Sequence, residues 1–298
     1  MRISIGDARL FFDVEGESLR ADGPRMRQFP TLLLLHGGPL IDHSMFKPEY
    51  SRLCEVAQLV FLDHRGCGRS DKSTSAHWNL AQWATDVRDF CDALEIRKPI
   101  VLGVSFGGIV AMKYATMFPN HPGQLVLCST APKFRLDRVL EAFERLGGSE
   151  AREAAKRFWE EPTPDNRAEY QLVCAPLLIA ATQTRPLNLT VEKATELANS
   201  WTRTTTNRDV SEFYVSGEHR RFDFSRELHR IESPTLVLSG DLDPLTTPND
   251  AADIIAGIRK ELVTQEQFPQ AGHGIVFDTP EAYFAAIRKF VTGAHARG

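Results

Sequence analysis

Short apolar runs, each followed by a polar or glycine-rich turn, recur along the chain and predict its strands. Leu10, Phe12 and Val14 occupy every second position of the first such segment, which is typical of a half-exposed antiparallel strand. Later runs are apolar on both faces, as in strands buried between helices, and they lie at 31–35, 59–62, 100–102, 125–127 and 235–238. A more polar, alternating strand is predicted at 263–268, whereas 16–28 is predicted to be a polar loop.

Segments with helical periodicity separate these runs. Asn79 followed by Gln82 indicates a helix N-cap, and the next apolar residues fall on one helical face: Leu80, Trp83, Ala84, Val87, Phe90, Cys91 and Leu94. Helices are also predicted directly after residue 108, at 251–258 and at 280–291. This alternation predicts an α/β protein in which a mostly parallel central sheet is flanked by helices.

The strand pattern is interrupted between residues 132 and 224. Segments rich in Glu, Arg and Ala at 149–159 and 191–201 predict helices there. We interpret 132–224 as an inserted helical cap, with 1–131 and 225–298 as the first and second parts of one α/β core. The loops at the carboxyl ends of the core strands then share one edge of the sheet, where such folds place their ligands.

A serine occupies the turn after the run at 100–102, in the sequence GVSFGG at 103–108. Small residues are needed on both sides of such a serine, because its backbone is strained and the following helix approaches closely. The turn would expose the Ser105 hydroxyl above the sheet edge as a nucleophile. An ordinary strand-to-helix turn can carry the same letters, so the chemistry depends on partners elsewhere in the chain.

Asp243 and His273 are the predicted partners of Ser105. A serine hydroxyl is a weak nucleophile that needs a base, and the base needs an acid that fixes its tautomer. His273 lies between two glycines, whereas other histidines lie in contexts that suit surface or capping roles: His43, His77, His121, His219, His229 and His295. Asp241 competes for the role of the acid, and the spacing of three residues after Gly240 favours Asp243. The order serine, aspartate, histidine suits this sheet topology.

Two backbone N–H groups are candidates for an oxyanion hole, which stabilises the tetrahedral intermediate of acyl transfer. One belongs to Phe106, directly after the nucleophile, and the other to Gly38 in the HGGP loop at 36–39. Glycine lets the backbone approach the substrate, and Pro39 has no N–H to donate. His36 is predicted to be a structural hydrogen-bonding residue under this loop.

Composition, charge and motif spacing exclude several classes of partner and cofactor. The net charge of −4 and the lack of a Lys/Arg stripe argue against a nucleic-acid partner. No metal-ligand spacing or nucleotide-binding glycine motif is found, so neither a metal nor a cofactor is predicted. The five widely spaced cysteines suggest buried free thiols. Without a secretory signal or a run of about eighteen apolar residues, we expect a cytoplasmic protein that does not bind membranes.

These motifs resemble those of the α/β-hydrolase superfamily, and within it the prolyl aminopeptidase (proline iminopeptidase) group and related esterases and lactonases. The resemblance rests on HGGP at 36–39, DHRGCGRS at 63–70, GVSFGG at 103–108, GDLD at 240–243 and the glycine–histidine pair at 272–273. It implies the α/β-hydrolase fold with an inserted helical cap. It also implies a serine hydrolase whose catalytic residues are Ser105, Asp243 and His273.

Three departures from the peptidase pattern favour a different substrate. Leu40 stands where the peptidases usually have glycine, His64 replaces their usual glutamine, and WEE at 159–161 is a fragment of their paired-tryptophan-and-glutamate pattern. We therefore expect hydrolysis of a small ester or lactone, with release of N-terminal proline as the alternative and a non-catalytic ligand-binding receptor as a third hypothesis. The candidate pocket residues are Leu40, Trp159, Glu160, Trp201, Phe213 and Tyr214.

Overall fold

A computed structural model describes residues 1–180 and 205–293, and a mixed sheet lies at its centre. The strands of this sheet are β1 (Arg2–Ile5), β2 (Ala8–Glu15), β5 (Thr31–Leu35), β6 (Gln58–Leu62), β7 (Ile100–Val104), β8 (Gln124–Cys128), β9 (Thr235–Gly240) and β10 (Val263–Phe268). Their spatial order is β1-β2-β6-β5-β7-β8-β9-β10. The pairs β1–β2 and β2–β6 are antiparallel, and every other pair is parallel.

Helices cover both faces of the sheet because its central strands are apolar on both sides. The helices are α1 (Leu80–Ala93), α2 (Phe106–Met117), α3 (Leu136–Glu160), α4 (Pro164–Val173), α5 (Arg208–Ser216), α6 (Pro248–Gly257), α7 (Ile275–Asp278) and α8 (Pro280–Gly293). On β5, Leu33 and Leu35 join the hydrophobic cluster that contains α1 and α2. Leu32 and Leu34 join the cluster that contains α8. The predicted mostly parallel sheet with flanking helices is therefore confirmed.

The predicted strands and core helices are present, with small shifts in their ends. Asn79 caps α1 by accepting a hydrogen bond from the Gln82 N–H at 2.9 Å. The prediction of a loop at 16–28 is wrong, because β3 (Leu19–Asp22) and β4 (Arg25–Gln28) form an antiparallel hairpin. Both of its strands are exposed on both faces, so the hydrophobic alternation that identifies a strand is missing.

Helices α3, α4 and α5 lie between β8 and β9, in the segment predicted to form a cap. The helix predicted at 149–159 is the second half of α3, which bends at Gly148, and the helix predicted at 191–201 lies outside the described residues. Tyr214 of α5 packs edge-on against Phe106 of α2 and Trp83 of α1, with ring centroids 5.0 and 5.8 Å apart. The inserted helices thus rest directly on the start of α2. The exact domain boundaries stay a prediction.

The described helices include none that combines the length and apolar character needed to cross a membrane. All five cysteines are free, and four of them are buried while Cys54 is partly exposed. Burial raises the pKa of the Cys67 and Cys91 thiols, the latter to about 12, so they pack as neutral apolar groups.

Candidate active site

Ser105 stands at the sharp turn between β7 and α2 with φ +53° and ψ −115°, outside the ordinary regions for a non-glycine residue. Its neighbours must be glycine: a Cβ on Gly103 would lie 2.3 Å from the Gly107 carbonyl oxygen, and one on Gly107 would lie 2.0 Å from that of Leu35. The turn is held from β8, because the Ser105 N–H donates to the Cys128 carbonyl at 2.9 Å. This strained, fully anchored backbone presents the Ser105 side chain to a cavity.

His273 and Asp243 form a hydrogen-bonded pair at the ends of neighbouring strands. The distance from His273 Nδ1 to Asp243 Oδ2 is 2.8 Å, and the carboxylate is completely buried. Leu245 and Thr246 donate their N–H groups to Oδ1, at 2.8 and 3.0 Å, and the Thr246 hydroxyl donates to Oδ2 at 2.6 Å. Because an ionised carboxylate only accepts, His273 Nδ1 carries the proton and Nε2 is left as a potential base.

The structure separates the two candidate acids. The Asp241 carboxylate accepts a hydrogen bond from Gln267 on β10 and does not contact His273. His273 is anchored from β8 as well, because the Ser129 hydroxyl donates to its backbone carbonyl at 2.9 Å. Ser105 and His273 line the same cavity without a hydrogen bond between them among the described contacts. Such contacts often tighten only when substrate binds.

The HGGP loop reaches the same cavity from β5. Gly38 is exposed and has φ +114°, and a Cβ on it would lie 2.4 Å from the Leu40 nitrogen, so only glycine fits. Gly37 is already engaged, because its N–H donates to Met45 Sδ at 3.1 Å. Phe106 is the first residue of α2, where backbone N–H groups have no partner inside the helix. Gly38 and Phe106 line the same cavity as Ser105, and their role as oxyanion-hole donors stays a prediction.

His36 lies beneath this loop, as predicted. Its Nε2 accepts from the His64 N–H at 3.1 Å, so its Nδ1 carries the proton and donates to the Gly37 carbonyl at 2.7 Å. Burial lowers the pKa of His36 and lowers that of His64 further, so both rings are neutral. His64 packs edge-on against His36 and Phe106. The two histidines form an uncharged support under the candidate oxyanion hole.

A cavity of about 820 Å³ lies over Ser105 between the core and the inserted helices. Of the predicted pocket residues, Leu40, Trp159 and Tyr214 line it. The prediction is wrong for Glu160, which is exposed at the end of α3, and for Phe213, which is 44% exposed and packs against Trp78 on the outer surface. Successive residues of a helix differ in direction by about 100°, so Phe213 and Tyr214 cannot face the same side. Trp201 lies outside the described residues.

Several residues that line the cavity were not predicted from the sequence. A surface or capping role was predicted for His219, but its ring stacks on Trp159 with a centroid distance of 5.0 Å and an interplanar angle of 21°. Burial lowers the pKa of His219 to about 3. Arg167 and Tyr170 of α4 also line the cavity. Their only sequence signal is the amphipathic character of α4, which does not show what its buried face contacts.

A second buried group, Asp42, His43 and Asp63, was also missed, because these residues lack metal-ligand spacing in the chain. A surface or capping role was predicted for His43, but this buried residue donates through its backbone N–H and Nδ1 to Asp63 Oδ1, at 2.9 and 2.7 Å. Arg69 donates its N–H to Asp63 Oδ2 at 2.8 Å, and its guanidinium reaches Asp42 Oδ2 at 3.1 Å. The carboxylates are thus engaged by protein donors, and a cation would have to displace them. The group joins the loops that follow β5 and β6.

Comparison with known proteins agrees with this architecture. Residues 30–280 match the family described as alpha/beta hydrolase fold. A proline iminopeptidase from Levilactobacillus brevis is 27% identical over 276 residues, which covers 87% of each chain. Among solved structures, the proline iminopeptidase of Mycobacterium smegmatis has a TM-score of 0.75 at 21% identity, covering 98% of this chain and 97% of the other.

An enol-lactonase from Burkholderia xenovorans has the same fold, with a TM-score of 0.69 at 20% identity over 98% of this chain and all of its own. At such identities a structural match shows the fold but does not choose a substrate. The family match, in contrast, covers most of the sequence and includes the Ser105, Asp243 and His273 loops. These findings establish a hydrolase, and the chain belongs to the α/β-hydrolase family.

Proposed function

We propose that this hydrolase cleaves a small carboxylic ester or lactone through an acyl-enzyme on Ser105. His273 Nε2 takes the proton from Ser105 Oγ as the oxygen attacks the carbonyl carbon. The N–H groups of Gly38 and Phe106 donate to the oxyanion of the tetrahedral intermediate. The imidazolium then gives its proton to the leaving alkoxide, which departs as an alcohol or stays attached when a lactone opens.

Deacylation repeats the same steps with water as the nucleophile. His273 removes a proton from water, the hydroxide adds to the acyl carbon, and Ser105 Oγ leaves with the proton that His273 returns. Asp243 holds the imidazole in the required tautomer and stabilises its positive charge while it exists. No other group is needed for the balance of atoms and charge.

The character of the cavity is the observation that carries the choice of an ester or lactone. Its charged lining residues in 1–180 and 205–293 are Lys133, Arg135 and Arg167, and neither aspartate nor glutamate is among them. An N-terminal prolyl substrate brings an ammonium group, which is costly to bury without a carboxylate partner. Esters and lactones bring no positive charge. The described lining therefore supports them over a peptide amine.

Release of N-terminal proline is the second candidate, because relatives named proline iminopeptidase match most of the chain. A substrate panel separates the two activities. We expect turnover of p-nitrophenyl butyrate or of a member of a lactone panel, and negligible release of p-nitroaniline from prolyl-p-nitroanilide. Strong cleavage of the prolyl amide with negligible ester and lactone turnover would overturn the proposal. Ser105→Ala provides the control for non-enzymatic hydrolysis.

A further inference from the structure

The inserted helices place a cluster of unpartnered polar atoms against the cavity. These atoms are Trp159 Nε1, Arg167 Nη2, the hydroxyls of Tyr170 and Tyr214, and both ring nitrogens of His219. All five side chains line the cavity, and within the described chain none of these buried atoms has a hydrogen-bond partner of good geometry. The Trp159 indole N–H does lie close enough to the Tyr170 hydroxyl to act against the rise in the Tyr170 pKa. Among the described residues, the atoms of Arg167, Tyr214 and His219 have no such neighbour. We call these five residues the cap subsite. Buried polar groups are nearly always paired, so a cluster that faces one cavity indicates a ligand group that completes it.

The cap subsite is continuous. The His219 ring stacks on Trp159 and meets Tyr214 edge-on, with centroids 5.0 and 5.3 Å apart. Trp159 also meets Tyr170 edge-on at 6.1 Å. Arg167 lies three residues before Tyr170 on α4, and neighbours at that spacing share a helix face. The four rings and the guanidinium therefore belong to one wall of the cavity.

The polar atoms of this wall are mainly donors. The Trp159 indole N–H and the Arg167 guanidinium can only donate. Burial raises the pKa of Tyr170 and Tyr214 well above the usual range, so both phenols keep their protons. His219, whose pKa burial lowers to about 3, is neutral at neutral pH and supplies one donor and one acceptor.

Arg167 gives the wall a positive charge that is only loosely paired with a carboxylate. Its guanidinium lies over the Phe158 ring at 5.2 Å. Within the part of the chain that the structure describes, the nearest carboxylate oxygen is Glu212 Oε1, which lies 4.0 Å from Nη2 on a side chain that is 52% exposed. That distance is too long for a hydrogen bond. A donor-rich wall with one under-compensated cation is complementary to an anion that has several acceptor lone pairs.

We propose that the cap subsite binds a carboxylate of the substrate, so that the preferred substrate is an ester or lactone carrying a free carboxylate away from the scissile bond. This inference rests on the proposed ester or lactone hydrolysis, and it adds the chemical class of the acyl part. A carboxylate suits the wall because a guanidinium and hydroxyl donors bind its two oxygens with charge-assisted hydrogen bonds.

A matched pair of esters tests this preference. The p-nitrophenyl monoester of adipic acid and p-nitrophenyl hexanoate share the leaving group and chain length, and differ in a terminal carboxylate against a methyl group. We expect kcat/KM to favour the adipate monoester by about tenfold or more, since hydrogen bonds to a charged group have effects of that size. Arg167→Met should lower this ratio by about tenfold, and Tyr170→Phe by several-fold. Arg167→Lys should retain part of it.

Two matched variants outside the cavity serve as controls. Arg157→Met removes a guanidinium of α3 that is paired with Glu169 at 2.5 Å in the exposed surface. Tyr114→Phe removes a buried hydroxyl that is bonded to His121. Both variants should leave the ratio of kcat/KM for the adipate monoester to kcat/KM for the hexanoate unchanged. The proposal would be overturned if the wild type had similar kcat/KM values for the two esters. It would also be overturned if Arg167→Met lowered kcat/KM equally for both.

Binding to the Ser105→Ala variant separates this inference from the proposed reaction. When adipate is titrated into the Ser105→Ala variant in a calorimeter, we expect saturable binding at millimolar concentration. Adding Arg167→Met to this variant should abolish the binding. Saturable binding without ester or lactone turnover by the wild type would support the cap subsite and reject the reaction. Hexanoate turnover that needs Ser105, without adipate binding or preference, would support the reaction and reject the subsite.

Discussion

At the scale of single residues, hydrogen bonds hold the Asp243 carboxylate in one orientation towards His273. Four donors from Leu245, Thr246 and His273 occupy its two oxygens, and the side chain has no access to solvent. The carboxylate therefore cannot rotate away from the imidazole. Asp241, two residues earlier, contacts Gln267 instead. The backbone turn after β9 decides which of two aspartates meets the histidine.

Asp243→Asn should lower kcat by about 10³–10⁴, because the amide favours the wrong histidine tautomer, as a comparable change does in serine proteases. Asp241→Asn is the matched control, since it changes the same group in the same turn and should leave kcat within about twofold. Steady-state kinetics with p-nitrophenyl butyrate measures both variants. Equal losses in the two variants, or a loss only in Asp241→Asn, would contradict the assignment of Asp243.

His219 also makes a prediction about stability. Burial lowers its pKa to about 3 in the folded chain, whereas an unfolded histidine titrates near 6.5. Between those pH values the unfolded chain binds a proton at His219 that the folded chain does not bind. The contribution of neutral His219 to the free energy of unfolding is therefore fully present above about pH 6.5 and is lost as pH falls towards 3. The wild type should lose about 2 kcal/mol more free energy of unfolding than His219→Phe between pH 7 and pH 5. Urea unfolding at both pH values measures this difference, and parallel losses would show that His219 is not buried in its neutral form.

At the scale of elements, the turn from β7 into α2 is fixed by backbone contacts that leave no room for side chains. Helix α2 is apolar and buried almost all round, with its first residues against β5. Gly107 allows this close approach, since a Cβ there would meet both the Leu35 and the His36 carbonyl oxygens. The strained conformation of Ser105 persists because the helix and two strands hold it on both sides.

Gly107→Ala should lower the free energy of unfolding by about 3 kcal/mol, because the added methyl group overlaps the backbone of β5. Gly293→Ala, at the end of α8 where a Cβ meets nothing within 4 Å, is the control and should change stability by less than about 1 kcal/mol. Chemical denaturation monitored by circular dichroism compares the two. Equal stabilities would mean that α2 is not packed as tightly on β5 as described.

The sequence predicts an element well when the local order of apolar residues or glycines depends directly on what packs around that element. The double-sided apolar runs of β5 to β9 identify buried strands, and the glycines around Ser105 identify a crowded turn. The exposed β3–β4 hairpin has no such pattern. In α5, Phe213 and Tyr214 are adjacent aromatics, and only the packing of the helix shows that Tyr214 faces the cavity. Contacts between separate cap helices, such as Trp159 with His219, are not encoded in any single segment.

At the scale of the whole molecule, the sheet carries the candidate catalytic residues, and the inserted helices enclose the cavity above them. Ser105, Asp243 and His273 come from loops at the carboxyl ends of β7, β9 and β10, which the sheet order brings to one edge. The polar wall of the cavity comes from α3, α4, α5 and the turn that follows them. The hydrolase class could therefore be predicted from the sequence, whereas the shape of the cavity depends on how the inserted helices pack.

Labelling with a fluorophosphonate tests whether Ser105 is the nucleophile. Intact-mass and peptide mass spectrometry should show one phosphonyl group per chain, attached to the peptide that contains Ser105. Labelling should disappear in Ser105→Ala and slow by orders of magnitude in His273→Ala, because the serine then lacks its base. A folded wild-type chain that stays unlabelled, or that is labelled at another residue with Ser105→Ala unaffected, would show that Ser105 is not the nucleophile.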